Sequence, residues 1–180
     1  MPNAQQAATA LNALAESRGW QMRCDAELNF TTPKLDALRD IWREKAAGNP
    51  LPSRADFDAR TLKPFLGNLA IVERLEAQEG VRYRLRYFGT EFVHFFGEQS
   101  NRFVDEFLPR ANVERWAAGY EAVFAAGAPL RFLSYFQVPQ VSFLNGESFS
   151  VPLGNGDRPP NTLLTAMYFL RKNHNRAEAG

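Results

Sequence analysis

The chain has one cysteine and two histidines in 180 residues. A lone thiol at Cys24 excludes an internal disulfide and any zinc site built on several thiolates. It also fits a reducing compartment. The same scarcity leaves few routes to nucleophilic catalysis. Also missing are a Gly-x-Ser-x-Gly elbow, a phosphate-binding glycine loop and a His-Glu-x-x-His helix. No apolar run approaches the ~20 residues needed to cross a bilayer. Met1 to Ser17 carries no Lys or Arg and no unbroken apolar stretch, which argues against a secretory signal. The expectation is a soluble cytoplasmic protein. With 21 basic against 20 acidic residues, the chain carries no electrostatic footprint for nucleic acid. Nor does it offer a polybasic segment to an anionic membrane.

What the chain does have is apolar bulk: 15 Phe and 45% hydrophobic residues. That is enough for one domain with a sizeable core and some attached secondary structure. Ala4, Ala7, Ala8, Leu11, Leu14 and Arg18 recur at helical spacing and predict a helix over 4–18, with a thin, small-sided stripe. Residues 19–31 read as irregular. A second helix is expected over 33–47, capped by Thr32, with Pro33 at its first position and a stop at Gly48, Asn49 and Pro50. Its buried face would be Leu35, Leu38, Ile41 and Trp42. Asp58 or Thr61 would then open a short helical turn through Leu62 and Phe65.

Residues 68–76 and 81–89 read as a hairpin turning at Gly80. In its second strand Val81, Tyr83, Leu85 and Tyr87 face one way and Arg82, Arg84 and Arg86 the other. Short helices follow at 90–97 and 103–108. A longer one is expected over 112–126, with Asn112 as cap and Gly127 past its end. Three more strands are predicted, at 130–138, 147–153 and 163–171, with Asn145-Gly146 as a hairpin-turn signal and Pro159-Pro160 in a looser connection. The last strand is apolar on both faces, so it should be central and covered on both sides. The N-terminal helices are the available second cover, and another copy of the chain is the alternative. Residues 173–180 read as a polar tail.

Three pieces of sequence stand out in this order: Leu51-Pro-Ser-Arg-Ala-Asp-Phe-Asp58, Leu66-Gly67-Asn68, and Tyr83-Arg-Leu-Arg-Tyr-Phe-Gly-Thr90. Together they resemble a bacterial family of small stand-alone PAS domains, over roughly residues 35–170. After Gly97 the chain departs from the family pattern, and Asn101 would hold the left-handed position of a family glycine. The resemblance implies an α+β fold: a five-stranded antiparallel sheet, split two then three, with helices on one face. An N-terminal helical extension (1–50) would precede a PAS-like domain (51–172). It further implies a sensory or regulatory module without catalytic residues.

Candidate ligand-binding residues are Phe92, His94, Phe95, Trp116, Tyr120, Phe124, Ser134 and Thr165, placed between the 112–126 helix and the sheet. An apolar pocket with a few polar groups suits a small ligand; an ordinary packed core is the plainer alternative. Arg54 and Asp56 are expected to form a structural clamp, and the arginines of 82–86 to pair with Glu73 and Glu76. No metal site is expected. The residues name no cofactor. Haem is disfavoured because Trp116 and Tyr120 stand where haem-binding PAS domains usually carry a ligand. Flavin is disfavoured because Cys24 precedes the PAS-like region. A homodimer and a regulatory protein partner are the expected associations. Two other readings compete. One is a small cone-shaped α+β enzyme with His94 as base, assisted by Glu91 or Asp105; the other is a structural dimerisation module pairing through residues 4–18 and the outer sheet face.

Overall fold

The alanine-rich start of the chain forms helix α1 (Ala4–Ser17), opened by a capping box. The Gln6 amide donates to Asn3 Oδ1 at 2.9 Å, and the Asn3 amide to Gln6 Oε1 at 3.0 Å. This is a computed structural model, describing residues 2–47, 51–138, 141–156 and 158–170. Helix α2 (Pro33–Lys45) begins with Pro33, where a missing N–H removes no helical bond. The side chain of Thr32 makes no capping bond, contrary to expectation. The Leu35 amide donates to the Thr32 carbonyl at 2.9 Å, and a buried carboxylate of the sheet accepts from the Thr31 and Thr32 amides just ahead of the helix, as described below. The expected stop at Gly48–Pro50 lies outside the described residues.

Six strands form one antiparallel sheet in the order β1-β4-β5-β6-β2-β3. They are β1 (Met22–Asp25), β2 (Leu69–Ala77), β3 (Gly80–Phe88), β4 (Leu130–Val138), β5 (Val141–Asn155) and β6 (Arg158–Leu170). The expectation of five strands missed β1, which pairs with β4 from Met22↔Ser134 to Asp25↔Arg131. The segment 1–50 is therefore not purely helical. Four residues without a β-branched side chain give no local strand signal; pairing with β4 makes the strand. Its outer edge is closed by Asn12 of α1. The Asn12 amide donates to the Cys24 carbonyl and accepts from the Cys24 N–H, both at 2.8 Å, as a neighbouring strand would.

Three further expectations about strands are corrected. Asn145-Gly146 is no turn: it lies within β5, Asn145 opposite Tyr135 and Leu170, Gly146 opposite Ser134 and Phe169. Laddering on both sides holds the pair extended, which overrides its local turn preference. Gly80 is the first residue of β3, paired with Ala77. Pro159 and Pro160 lie in β6, ahead of Thr162, where its pairing with β2 begins, so their missing N–H groups break no bond on that side.

The alternation in β3 also fails at one point. Between Ile71 and Val72 the register shifts, with Val72 opposite Leu85 but Ile71 opposite Tyr87. This bulge sends Tyr87 to the face opposite Leu85, where it packs beside Phe65 and Leu69 and donates to the Leu66 carbonyl at 3.1 Å. The arginines are paired largely as expected: Arg84 meets Glu73 at 2.7 Å and Arg86 meets it at 3.3 Å. Arg82, however, takes Asp105 in a two-bond fork, both at 2.9 Å, and Glu76 pairs with Arg74.

Helices cover both faces of the sheet, where the resemblance implied one. On one face α2 sets Leu35 and Leu38, both fully buried, with Phe57, Leu62 and Phe65 against Phe149, Val151, Leu164 and Ala166. Residues 59–62 form helix α3 in this layer. The other face carries helices α4 (Thr90–Phe96) and α5 (Arg110–Ala126) over Ala70, Val72, Leu85 and Leu163. Helix α5 starts after Pro109, not at Asn112, because the Pro109 carbonyl accepts from Asn112 at 2.8 Å and Val113 at 3.1 Å. It stops at Gly127 in the left-handed conformation. The buried stripe of α1 (Ala7, Ala8, Leu11 and Ala15) is used within the chain, next to Val123 of α5 and Phe132 of β4.

The second and third sequence pieces singled out above meet at a close backbone approach, and the first docks on β5. A Cβ on Gly89 would lie 2.3 Å from the Leu66 carbonyl oxygen and 2.4 Å from that of Gly67. Only glycine admits that contact. Asn68 then ties the turn to β6 by donating to the Met167 carbonyl at 2.9 Å. At the other end, the Gly154 amide donates to the Pro52 carbonyl at 2.8 Å, docking the 51–58 segment on β5.

Arg54 and Asp56 do not clamp each other. Asp56 turns back to accept from the Ser53 amide at 2.6 Å, while Arg54 donates to the Phe57 carbonyl at 2.9 Å. The 54–56 segment is a single tight 3₁₀ turn, and each side chain satisfies that turn's own backbone. The Ser53 amide bond holds the Asp56 carboxyl below its ordinary pKa.

Candidate functional site

Between α5 and the sheet lies a cavity of about 70 Å³. Its floor follows from the period of two along β5 and β6. Phe149, Val151, Leu164 and Ala166 turn toward α2, so the alternate residues Ser148, Ser150, Thr165 and Met167 turn toward α5 and line the cavity. Ser134 of β4 joins them, and Ala70 and Leu85 extend the floor onto β2 and β3. Arg115, Trp116, Gly119 and Tyr120 form the roof, one face of α5. Phe88 and Phe92 close the side near α4, stacked with ring centroids 4.9 Å apart. Met22 of β1 contributes from the opposite side.

Hydroxyls are unusually dense on this floor. Ser148, Ser150 and Thr165 are all buried, and Ser150 and Thr165 hydrogen-bond to each other at 2.7 Å. Burying a hydroxyl without a partner costs roughly 1–3 kcal/mol, so this pair offsets its own desolvation. The single charged lining residue among those described is Arg115, half-buried, which donates to the Tyr135 carbonyl at 3.1 Å. Burial lowers its pKa from the ordinary arginine value. Burial likewise raises that of the Tyr120 phenol.

Polar bonds fix the roof to the sheet. The Tyr83 hydroxyl donates to Glu121 of α5, and Glu121 also accepts from Arg74 Nε at 2.7 Å. Burial first, and then the Glu121 bond, push the Tyr83 phenol pKa up. These contacts tie α5 to β2 and β3 beside the cavity, so a shift of α5 would be felt at the hairpin.

Of the residues singled out from sequence, Phe92, Trp116, Tyr120, Ser134 and Thr165 line the cavity. His94 does not: it is exposed on the outer side of α4, with its ring edge-on to Phe95. Phe95 packs on Phe169 at 4.4 Å between centroids, and Phe124 packs in the surrounding apolar cluster; neither lines the cavity. Cys24 is buried between α1 and α5, outside the lining. Burial, with the Asp25 charge beside it, pushes its thiol up to about 12. Sequence reasoning missed Arg115, Ser148 and Ser150. The alternation Ser148-Phe149-Ser150-Val151 held the clue, because it places both serines on one face. His174 lies outside the described residues.

An antiparallel sheet whose inner face is roofed by a long inserted helix over a small cavity is an α+β fold. The PAS-domain family model matches residues 30–167, so the chain belongs to the PAS-domain family. That span includes α2. PAS domains are typically non-enzymatic sensory and signalling modules, and this chain fits that class. Among solved structures, the Rhodobacter sphaeroides LOV protein is 18% identical, with a TM-score of 0.42 over 66% of this chain and 72% of that one. A variant of the same protein, RsLOV d2, is 15% identical, with a TM-score of 0.44 over 81% of this chain and 72% of that one. A fungal LOV-domain photoreceptor is 13% identical, with a TM-score of 0.42 over 74% of this chain and 91% of that one. At this level nothing about a ligand follows. No curated protein matches the chain. No helix among the described residues is long and apolar enough to cross a membrane.

Proposed function

We propose that the chain is a non-enzymatic PAS sensor that takes a small molecule in the cavity under α5. Occupancy would then alter the packing of α5 on the sheet, and a regulatory protein partner would read the change. The observation that carries this reading is the floor itself. An apolar domain places the hydroxyls of Ser134, Ser148, Ser150 and Thr165 on one internal patch, although apolar side chains would pack there at no desolvation cost. Polar groups converging in an apolar hollow are the mark of a ligand site.

The residues do not fit flavin. A cavity of about 150 Å³ takes one benzene ring, whereas this one is about 70 Å³ and its lining includes no cysteine. Cys24, outside it, is in no position to add to a bound ring. The competing enzyme reading needed His94 in an enclosed site beside a carboxylate, and exposure of His94 removes its base. A homodimer, expected from sequence, would use a surface other than the stripe of α1, which is covered within the chain.

The test is a ligand-observed NMR screen of small fragments against the full chain, beside Gly119→Leu. A Cβ on Gly119 meets only Phe132, at 3.6 Å, an ordinary contact. A leucine there would project into the cavity without displacing backbone. The expected result is fragment binding to the native chain that the folded variant has lost. Binding by neither chain, or equally by both, would refute the reading.

A further inference from the structure

The hydroxyls of the cavity floor form one diagonal row across three strands. Ser134 of β4 follows Phe132, which stands opposite Ser148 of β5; Ser150 comes next on the same face, opposite Thr165 of β6. Ser150 and Thr165 bond to each other at 2.7 Å. The hydroxyls of Ser134, Ser148 and, in the roof, Tyr120 have no hydrogen-bond partner among the described residues, and all three residues line the cavity. Ser148 is only 3% exposed. Burial raises the pKa of the Tyr120 phenol, so at neutral pH it keeps its proton to donate. Each of these groups carries one donor and lone pairs, and leaving them unpaired in the interior is unfavourable. A molecule in the cavity that both donates and accepts would satisfy them.

The far end of the same space offers nothing to bond, because Ala70, Leu85, Phe88 and Phe92 form it. Water can serve the hydroxyls but gains no partner there. An occupant of the whole cavity is therefore polar at one end and hydrocarbon at the other. A charged head is poorly served. No Asp or Glu occurs among the described lining residues to balance a cation. The guanidinium of Arg115 donates to the carbonyl of the exposed Tyr135, so an anion would exchange its hydration chiefly for neutral hydroxyls.

Resting on the ligand-binding reading above, we infer that the cavity recognises a short neutral alcohol, its hydroxyl bonded by Tyr120 and Ser148 and its carbon end against Phe88 and Phe92. Size narrows the class further. A cavity of about 150 Å³ takes one benzene ring, so about 70 Å³ takes roughly three heavy atoms, the size of ethanol. For so small a ligand the dissociation constant is at best about millimolar.

The experiment titrates the full chain at pH 7 with ethanol, dimethyl ether, formate and ethylammonium, which share one heavy-atom count, and separately with xenon, following the backbone amide signals of Gly119 and Ser148. Ethanol is expected to shift these signals to saturation. Dimethyl ether, which cannot donate, should bind at least about fivefold more weakly, and formate and ethylammonium should give no saturable response. Tyr120→Phe and Ser148→Ala remove no hydrogen bond within the chain, so both should keep the native thermal melt while ethanol binds about fivefold more weakly. Three results would overturn the inference while leaving a ligand-binding cavity in place: equal binding of ethanol and dimethyl ether, tighter binding of formate or ethylammonium, or undiminished ethanol affinity in either folded variant. A response to xenon alone would overturn it too, by showing an accessible cavity that does not recognise an alcohol. If no probe moves the signals, the inference falls, and the fragment screen then decides separately whether the cavity binds anything. Should a variant fail to fold, the native chain's ratio of ethanol to ether affinity still decides.

Discussion

Glu147 is completely buried, yet it sits in a strand of a domain with a largely apolar core. Its carboxylate accepts from the Thr31 amide at 2.9 Å, the Thr31 hydroxyl at 2.9 Å and the Thr32 amide at 2.8 Å. Arg131 completes the shell at 2.7 Å and reaches Asp25 at 2.9 Å. One ionic row thus joins β1, β4, β5 and the entry to α2. Arg131→Met keeps the length and apolar stem of the side chain but leaves Glu147 without its countercharge. Breaking a buried pair from one side costs about 3–5 kcal/mol. The low end, about 3 kcal/mol, applies here because Thr31 and Thr32 still donate. For a chain of this size that is a fall in melting temperature of about 6–12 °C. Urea denaturation at pH 7 would show it directly. The double variant Arg131→Met/Glu147→Leu should not recover native stability, because the Thr31 and Thr32 amides then lose their acceptor.

The pH dependence carries a definite sign. Burial alone would raise the Glu147 pKa, but the bonds from Thr32, Thr31 and Arg131 together hold it below the ordinary glutamate value. A carboxyl depressed in the folded state contributes stability that is complete above its unfolded pKa of about 4.3. That contribution is lost as pH falls through the lower folded value. Glu147→Gln should lack this acid loss, and Arg131→Met should begin it at higher pH. A loss below about 1 kcal/mol for Arg131→Met at pH 7, or an acid limb unchanged in Glu147→Gln, would refute the reasoning.

Other outcomes follow from single contacts. Gly89→Ala places a methyl against two carbonyl oxygens of the Leu66–Gly67 turn, and backbone cannot rotate aside; a loss of about 3 kcal/mol or more in urea is expected, and a change within ~0.5 kcal/mol would contradict the geometry. Asn12→Ala removes both bonds that close the β1 edge, so stability should drop by roughly 1–2 kcal/mol. Hydrogen exchange at the Cys24 amide should also accelerate, and native protection there would show that the edge is held by something else. Ser150→Ala strands the Thr165 hydroxyl and should cost about 1 kcal/mol or more, whereas Ser150→Ala/Thr165→Val should cost less than the two single changes added together. An additive double-mutant cycle would mean the two hydroxyls are not coupled.

Strand and helix content was legible where local pattern and burial agree. The run from Leu69 alternates against Gly80–Phe88, and Gly127 ends α5 as its position after Ala126 implied. Asn101 takes positive φ, the backbone state a glycine would hold there. The candidate pocket was legible in its aromatics, because Phe92, Trp116 and Tyr120 lie on helical stripes. Its polar half was not, since Ser148 and Ser150 become a floor only when paired beside Thr165.

By itself the sequence determined most of the helices and strands and their order, and that β6 must be buried on both faces, because these follow from side-chain period and apolar content within a short window. Tertiary structure alone decided that Met22–Asp25 is a strand, that Tyr87 changes face, that Asn145-Gly146 stays extended and that Ser134, Ser148, Ser150 and Thr165 line one cavity. Each of these depends on a partner far away in the chain. Register and the burial of a polar group are properties of a pair of segments, and neither segment carries them alone.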